Sequence, residues 1–598
     1  MSTVSKPPIS AEESQPPQAN LLEGWISRLR SGFRSERLFL LLAIYIGIVA
    51  GLAVVCFRIA IEWCRLWLQG TAVPPVGWRL VAAPVGAGLV IAALVTRFFP
   101  RSRGSGVNQT KAALYIYNGY VPFRTVIGKF ISSALAIGSG FSLGPEDPAL
   151  QIGAGIASLT GRELDLPRKQ MRLIAPVGAA AGLAAAFNAP ISAVLFVIEE
   201  VIGKWSASVL GAVVLSAVAS AVVERWFLGF APLFRVPPLQ GVRPDELLAY
   251  AALGVVGGFA SLVFAKGIGI LRPILRSLPS WTQYLQPAVA GLCVGLIAYF
   301  GFPQITGAGY EFVDQAIHDQ YTWQVLGILA GLKILATTIS FVSGTPGGMF
   351  APTLFVGAML GGAVGGVERI LLPHLSTSVA AYALVGIGVM FAGFLRAPMT
   401  SVFMVLEVSG DYSIVLPVIL ANTIAYLISR TFQPVPIFDM LSRQDGLDLP
   451  SMEEERELPV LHVEDAMQPP PAVVLTYNAT AAEALNRISD AEAQAFLVRK
   501  EGWRWGVVTR NMLLHPNAGQ DAAATLDVLA DPVDSVHPDQ PLDVALRLAQ
   551  QYPLVPVLHR ADRDRLEGVL DLNAILEAYR AAPRDGASDD SPESQPLL

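Results

Sequence analysis

A glutamate in a turn rich in glycine and proline is the residue best suited to chemistry in this sequence. Glu146 stands between Pro145 and Asp147, just before an apolar segment. If that segment enters a membrane, the carboxylate is costly to bury and is expected to have a function. An ionised carboxylate could occupy the site of an anion, and protonation would let it leave, so Glu146 is a candidate gate and proton carrier. The residues alone leave open an acid that caps a helix and is stabilised by the helix dipole.

Four segments place glycine or proline immediately before a helix, where an anion could bind. Glycine lets backbone N–H groups approach a ligand closely, and a helix N-terminus adds free donors and the positive end of a dipole. Dipoles hold a halide weakly enough for fast release, whereas a full positive charge would hold it too tightly. The candidate donors are the hydroxyl of Ser105, the phenol of Tyr412 and the backbone N–H groups of Met349 and Phe350. The four segments are 104–110, 138–155, 344–352 and 407–417.

Charged residues inside or at the ends of the apolar runs are further candidates. Lys129 and Lys333 are lone cations that could supply a diffuse potential attracting anions, and the alternative for each is a snorkelling or paired lysine. Glu199 and Glu200 end an apolar helix, so one of them could accept protons on the cytoplasmic side, although interfacial charges at a helix end are more common. Glu407 stands in a similar segment further along the chain and is interpreted as structural.

The composition indicates a membrane protein with a soluble tail. Apolar residues make up 53% of the 598 residues and charged residues 15%, whereas about a quarter of the residues are charged in soluble domains. Long apolar runs occupy residues 38–440, and the remainder resembles ordinary soluble protein. The net charge of −6 gives no indication of nucleic-acid binding. Neither the three cysteines nor the six histidines have the spacing of a metal site.

The N-terminal side of the membrane region is expected to be cytoplasmic. Residues 1–22 are rich in Ser, Pro, Gln and Glu and are predicted to be disordered. Four arginines then precede the first apolar segment, and the positive-inside rule places them in the cytoplasm. These arginines are Arg28, Arg30, Arg34 and Arg37.

An internal repeat divides the membrane region. Residues 148–154 match 352–358 at an offset of 204, and residues 187–200 match 395–408 at an offset of 208. Matches in the same order predict two homologous halves. Several apolar segments are too short to cross the about 30 Å hydrocarbon core, which favours helices that stop part-way. The spans do not fix the relative orientation of the halves, but repeated transporters favour an inverted pair with the ion site at the interface.

These segments resemble the CLC family of chloride channels and chloride/proton antiporters over residues 38–435. The resemblance implies a homodimer in which each protomer has its own anion pathway, built from two inverted halves. It also assigns roles by position to the central-site hydroxyl, the external gating glutamate, the two backbone donors, the inner tyrosine and the internal proton glutamate. In that order, these are Ser105, Glu146, Met349 and Phe350, Tyr412 and Glu200.

Four residues bear on how a member with this sequence would work. Family channels generally lack an acid at the position of Glu200, so Glu200 favours exchange over passive conduction. Asn108 replaces the usual proline after the first glycine motif, at a position that bears on chloride-versus-nitrate preference in the family. Pro145 and Asp147 replace the usual arginine and glycine beside the gate. Pro145 stiffens the approach and lacks an N–H donor, and Asp147 adds a second acid, so gating and coupling are expected to differ.

The soluble tail resembles a tandem CBS pair over residues 463–580. Such pairs often bind adenine nucleotides through a threonine or serine and an aspartate three residues later. Thr509 is followed by Met512, and Asp571 by Ala574, so the acid that grips the ribose is missing from both copies. A dimerising cytoplasmic platform is therefore favoured over nucleotide binding at Thr509.

The sequence therefore predicts an all-α polytopic membrane domain of two inverted halves and a soluble α+β tandem CBS domain. The predicted function is voltage- and pH-sensitive exchange of chloride, or a related anion such as nitrate, for protons, with no enzymatic activity, metal or required cofactor. A passive CLC-type chloride channel is the alternative, and a CBS-containing divalent-cation transporter would need acids clustered at the ion site. A homodimer in the plasma (inner) membrane is expected, with the N-terminus and the CBS tail in the cytoplasm.

The predicted parts are an N-terminal segment at 1–36, the transmembrane domain at 37–435, a linker at 436–462, the CBS pair at 463–580 and a disordered tail at 581–598.

Overall fold

The computed structural model divides into two units, Met1–Arg456 and Glu457–Leu598. The N-terminal segment predicted to be disordered, Arg28, Arg30, Arg34 and residues 582–598 of the predicted tail lie outside the described residues. The described residues are 36–71, 77–203, 207–230, 232–239, 243–372, 378–447, 449–450, 461–488, 493–499, 505–515, 525–560, 562 and 565–581.

Helices of the first unit follow one another in two matching series, as the internal repeat predicts. The first series is α1 (Glu36–Leu68), α2 (Arg79–Ala93), α3 (Gly106–Tyr115), α4 (Phe123–Ser139), α5 (Glu146–Glu163), α6 (Arg168–Phe187), α7 (Pro190–Phe196) and α8 (Ala207–Leu228). The second series is α9 (Leu247–Ser277), α10 (Gln286–Tyr299), α11 (Tyr310–Ile317), α12 (Trp323–Val342), α13 (Phe350–Leu371), α14 (Val379–Leu395), α15 (Pro398–Ser409) and α16 (Val415–Phe432).

Several of these helices stop inside the membrane unit. Within the described part of the chain, 8 helical stretches are long and apolar enough to span a membrane. In contrast, α3 has 10 residues and α11 has 8, which at about 1.5 Å per residue cover half or less of the about 30 Å hydrocarbon core. The apolar helix α7 gives way to a π-helical turn at Val197–Ile202. Ends of this kind leave free backbone groups inside the protein, where side chains or an ion can bind them.

A two-fold relation joins the two series. Gly144 and Gly348 precede the equivalent helices α5 and α13 and form an antiparallel bridge. The N–H of each donates to the carbonyl oxygen of the other at 2.8 Å. Reciprocal contacts between equivalent residues are what a two-fold axis produces. The predicted membrane domain of two homologous halves is therefore confirmed.

The prediction of a linker at 436–462 is wrong at its start. The helix α17 (Ile437–Gln444) belongs to the first unit, and five of its residues are buried there. Prolines at 434 and 436 interrupt the preceding apolar run, which made the segment resemble the start of a linker. Its apolar residues recur at helical spacing, however, and that spacing gives the helix a face to bury against the membrane unit.

The second unit contains two α/β repeats. In the first, β1 (Leu475–Thr476) pairs in parallel with β2 (Ala495–Arg499), which pairs in antiparallel fashion with β3 (Trp505–Thr509). β3 also pairs in antiparallel fashion with β4 (Asp531–Val533), which belongs to the second repeat. In the second, β5 (Val555–Leu558) pairs in antiparallel fashion with β6 (Leu566–Leu570). The helices of this unit are α18 (Val463–Ala466), α19 (Ala481–Arg487), α20 (Arg510–Leu514), α21 (Leu526–Leu529), α22 (Leu542–Ala549) and α23 (Leu572–Ala581).

Candidate anion and proton site

Glu146 is the first residue of α5 and is completely buried. Its Oε2 accepts a hydrogen bond of 3.3 Å from the backbone N–H of Ala351, in the first turn of α13. A Cβ on Gly144 would lie 2.4 Å from that oxygen and 2.8 Å from the Cβ of Ala351. Glycine at position 144 is therefore required for the carboxylate of one half to reach the helix N-terminus of the other.

Asp147 occupies a second helix N-terminus, that of α3. Its Oδ1 accepts from the backbone N–H of Val107 at 2.9 Å and from the hydroxyl of Ser105 at 3.3 Å. A Cβ on Gly106 would lie 3.0 Å from this oxygen and 2.4 Å from the carbonyl oxygen of Asp147. Glycine at position 106 thus allows the first turn of α5, which carries Asp147, to pack directly against the start of α3.

Ser105, Met349 and Phe350 come together around these two carboxylates, although they belong to different halves. Ser105 is the N-cap residue of α3 and Met349 that of α13, and all three residues are buried. Gly348, beside Met349, is so close to Asp147 that an added Cβ would lie 2.7 Å from the Cβ of Asp147. The structure therefore brings a hydroxyl and two helix N-termini to one place at the interface of the halves.

Tyr412 does not reach this place, so its assignment as an anion-binding residue is wrong. It begins a short 3₁₀ turn and is 79% exposed. Phe438 of α17 is one of the aromatic residues near the donors, and its ring centroid lies 6.2 Å from that of Phe350 and 6.3 Å from that of Phe196. Its ring has no hydroxyl to offer an anion. Phe438 was missed because it falls in the segment predicted as a linker, and the apolar pair at the start of α17 was the available signal.

Glu200 lies in a buried cluster of charges. The Nζ of Lys111 is 3.0 Å from Oε1 of Glu200 and 2.9 Å from Oδ1 of Asp439, and none of these side chains is more than 4% exposed. The cluster joins α3, the π-helical turn after α7, and α17. The neighbouring Glu199 has a different role, because it accepts the N–H of Thr400 at 2.9 Å and so caps α15.

Sequence reasoning missed Lys111 and Asp439. Lys111 follows Ser105 by six positions and precedes an apolar stretch, so its presence in a short buried helix was detectable. A buried ammonium is costly unless a carboxylate or several carbonyl oxygens bind it, and that requirement was the usable signal. Asp439 gave no local signal, since 328 positions separate it from Lys111.

Asn108 ties α3 to α17. It is buried, and its Nδ2 donates to the carbonyl oxygen of Phe438 at 2.9 Å. Its Oδ1 has no hydrogen-bond partner among the described residues. The side chain at the position predicted to affect selectivity therefore holds the backbone of the aromatic residue next to Phe350.

Lys129 and Lys333 occupy equivalent positions and bind backbone carbonyls. The Nζ of Lys129 donates to the carbonyl of Gly104 at 2.6 Å, and that of Lys333 to the carbonyls of Ile305 and Gly307 at 2.8 Å each. Both lysines are fully buried, so they do not snorkel to the membrane surface. Each holds the glycine-rich loop of its own half, and their charge remains inside the protein.

A cavity of about 220 Å³ opens beside the loop that carries Glu146. Two arginines, Arg58 and Arg65, line it together with Pro145 and the glycine-rich loop at 306–309 of the second half. The Nη1 of Arg58 is 2.7 Å from Oε1 of Glu224. Glu62 and Glu311 also line the cavity, so side chains of both signs lie near the loop that carries Glu146, to which Pro145 adds no charge.

Comparison with known proteins decides the family. Residues 87–430 match the family described as "Voltage gated chloride channel", and residues 526–581 match the family described as "CBS domain". The first match covers more than half of the chain. This chain belongs to the CLC family.

Two curated relatives of this CLC protein carry different kinds of name. A Ralstonia nicotianae protein named as a ClcB-like chloride channel protein is 32% identical over 424 residues, which cover 68% of this chain and 97% of the relative. The H(+)/Cl(−) exchange transporter ClcA of Vibrio vulnificus is 31% identical over 417 residues, which cover 67% of this chain and 88% of the relative.

Solved CLC structures agree with the architecture. A slow cyanobacterial Cl−/H+ antiporter superposes with a TM-score of 0.63 at 26% identity, over 68% of this chain and 98% of its own. A eukaryotic CLC transporter superposes with a TM-score of 0.59 at 18% identity, over 92% of this chain and 98% of its own. The second likeness supports the fold alone, and it extends beyond the membrane unit.

Thr509 and Asp571 take equivalent positions in the two α/β repeats of the second unit, of which the second contains the CBS match. The hydroxyl of Thr509 accepts from the N–H of Met512 at 3.3 Å, and Oδ1 of Asp571 accepts from the N–H of Ala574 at 2.7 Å. Both side chains therefore cap the helix that follows their strand. Among the described residues, no group of three or more His, Cys, Asp and Glu side chains has a geometry suited to a metal ion.

Proposed function

We propose that this CLC protein exchanges chloride for protons across a membrane. The observation that carries the proposal is the carboxylate of Glu146, which is buried and bound to the N-terminus of α13 in the opposite half. An ionised carboxylate competes with an anion for that N-terminus, and a protonated one yields it, so anion and proton movements are linked. The names of the ClcA relatives and of the solved antiporter support the same reaction.

Protonation of Glu146 opens the pathway in this proposal. Loss of the negative charge weakens the attraction of the side chain to the N–H of Ala351 and to the dipole of α13. The side chain then leaves, and chloride binds the backbone donors around Met349 and Phe350 and the hydroxyl of Ser105. When the anion has moved on, the carboxylate loses its proton and returns to the helix N-terminus.

Glu200 exchanges the proton with the cytoplasmic side. Lys111 and Asp439 hold its carboxylate between α3 and α17, and the lysine ammonium stabilises the ionised form. The helices that carry Ser105 and Phe438 are the same two that hold Glu200, so the proton path borders the anion path at its inner end.

We further propose a homodimer in the plasma (inner) membrane, with the N-terminus and CBS tail in the cytoplasm and with voltage- and pH-sensitive transport. The protein needs no cofactor and has no enzymatic activity in this proposal. The CBS pair serves as a dimerising platform, and it binds no adenine nucleotide at Thr509 because the hydroxyl caps α20 and the ribose-binding acid is missing. Nitrate is transported beside chloride, since Asn108 stands where proline is usual.

Passive chloride conduction is the second candidate, because one relative is named as a chloride channel protein. Purified protein in liposomes separates the two functions. A chloride gradient should drive protons in the direction opposite to the chloride flux, recorded with a chloride electrode and a pH-sensitive dye in the same vesicles. Chloride flux without proton movement would refute exchange and establish the channel.

A further inference from the structure

Two consecutive carboxylates fill both helix N-termini at the proposed anion site. Glu146 binds the start of α13 from the second half, and Asp147 binds the start of α3 from the first. Both side chains are at most 1% exposed. The hydroxyl of Ser105, the donor expected to hold an anion, is bound to Oδ1 of Asp147. The proposed cycle uses Glu146 and leaves this second carboxylate without a role.

Asp147 and an anion cannot share the space at Ser105. Asp147 is packed closely between two glycines. A Cβ added to Gly106 would lie 3.0 Å from Oδ1 of Asp147, and a Cβ added to Gly348 would lie 2.7 Å from the Cβ of Asp147. An anion that used the hydroxyl of Ser105 and the N–H of Val107 would take the place of Oδ1. Like charges at that separation would also repel each other strongly in a buried site.

The carboxylate of Asp147 is incompletely bound. Its Oδ2 has no hydrogen-bond partner among the described residues. Lys129, which acts on Asp147 electrostatically, donates its hydrogen bonds to the carbonyls of Ser102 and Gly104. A buried acceptor without a partner is costly, so this arrangement is easier to open than a fully satisfied helix cap.

We infer that Asp147 is a second gating carboxylate, which occupies the Ser105 side of the anion site and has to move before an anion binds there. The inference deepens the proposed function and rests on anion transport at this site. It means that the measured affinity for chloride is weakened by the fraction of molecules in which Asp147 fills the site. The variants Asp147→Gly and Asp147→Asn should therefore bind chloride more tightly than the unmodified protein.

Equilibrium binding of chloride to the purified full-length protein in detergent, followed by isothermal titration calorimetry, tests this inference. The expected gain is about tenfold for Asp147→Gly, which removes the competing side chain, and at least about threefold for Asp147→Asn, which removes its charge. Asp319→Asn is the matched control: Asp319 forms a surface ion pair with Arg369 at 2.8 Å, and its substitution should leave chloride affinity unchanged.

Ser105→Ala supplies a second measurement through a double-mutant cycle. In the unmodified protein the hydroxyl of Ser105 serves Asp147 and the anion in turn, so its loss should change chloride affinity less than about twofold. In the Asp147→Gly background the hydroxyl serves the anion alone, and Ser105→Ala should weaken binding about fivefold or more. Equal effects in the two backgrounds would contradict competition between Asp147 and the anion.

Chloride binding that is unchanged or weaker in both Asp147 variants would overturn the inference. Gel filtration establishes that each variant is folded, and if Asp147→Gly does not fold, Asp147→Asn and its Ser105 cycle decide. These measurements need no proton gradient. A failure of proton coupling in liposomes would thus refute exchange and leave the assignment of Asp147 standing, whereas the calorimetric result can refute Asp147 while exchange persists.

Discussion

Glu199 and Glu407 each bind the start of the helix that carries the other. Glu199, in the turn after α7, accepts the N–H of Thr400 in α15 at 2.9 Å. Glu407, in the last turn of α15, accepts the N–H of Ser192 in α7 at 2.7 Å. The two contacts are one interaction repeated by the two-fold relation between the halves. They clamp the halves together beside Glu200, the proposed proton acceptor.

Removing either clamp should weaken the fold without abolishing transport. Glu199→Gln and Glu407→Gln keep the shape of the side chain but lose a charge-assisted bond to a helix N-terminus, worth about 1–3 kcal/mol each. Each variant should therefore have a lower apparent melting temperature in detergent. Glu311→Gln, at an exposed position in the first turn of α11, is the control and should melt like the unmodified protein. An unchanged melting temperature in Glu199→Gln or Glu407→Gln would contradict the structural role of that glutamate.

Glu146→Gln should remove the pH dependence of anion flux and stop coupled proton movement. Glutamine cannot ionise, so it neither competes as an anion at the N-terminus of α13 nor carries a proton. Anion flux in liposomes is measured in steps of about one pH unit between about pH 4 and about pH 8. It should rise as the pH falls in the unmodified protein and should not change with pH in the variant. Glu311→Gln removes an acid that lines the cavity beside the loop of Glu146, and this variant should keep the pH dependence. A Glu146→Gln protein that keeps the full pH dependence of the unmodified protein would refute the role of Glu146 as the gate.

The place of Glu146, the proposed gate, could be predicted from sequence because its signals are local. Glycine, proline and an acid within a few positions define the loop around Glu146, and the repeat supplies its partner helix. The inner part of the site could not be predicted in the same way. Lys111 and Asp439 meet only after the chain has folded. Phe438 lies in a short helix that follows two prolines, and these prolines interrupt the apolar pattern of the sequence before it. Tyr412 has the hydroxyl that an anion site can use, but which aromatic residue faces the site depends on packing.

Proton coupling should depend on Glu200 and not on its neighbour in the cluster. Glu200→Gln and Asp439→Asn each remove one of the two carboxylates that Lys111 binds, so both disturb the cluster in a similar way. Glu200→Gln should abolish proton movement while chloride still flows, because the proton acceptor is lost. Asp439→Asn should retain coupling at a reduced rate. If both variants uncouple protons equally, the cluster as a whole and not Glu200 carries the proton.

Asn108→Pro should shift transport toward chloride and away from nitrate. Proline fits the first turn of α3 but removes a backbone donor from the helix N-terminus and the side-chain bond to Phe438. Asn108→Ala loses only the side-chain bond, so it separates the two effects. Flux of both anions, measured side by side in liposomes, should give a chloride-to-nitrate ratio at least about threefold higher in Asn108→Pro. An unchanged ratio in both variants would remove Asn108 from selectivity.

Arg58→Gln should slow the access of anions through the cavity that Arg58 and Pro145 line. Arg58 lines the same cavity as Pro145, and an approaching anion is attracted by its charge over about 8 Å at physiological ionic strength. Glu224→Gln breaks the same ion pair but keeps the cation, which makes it the matched control. Initial chloride flux should fall about two- to fivefold in Arg58→Gln at low salt, with a smaller loss at high salt. Flux in Glu224→Gln should not fall. Equal losses in the two variants would mean that Arg58 acts through the ion pair, because the charge that attracts anions is removed in only one of them.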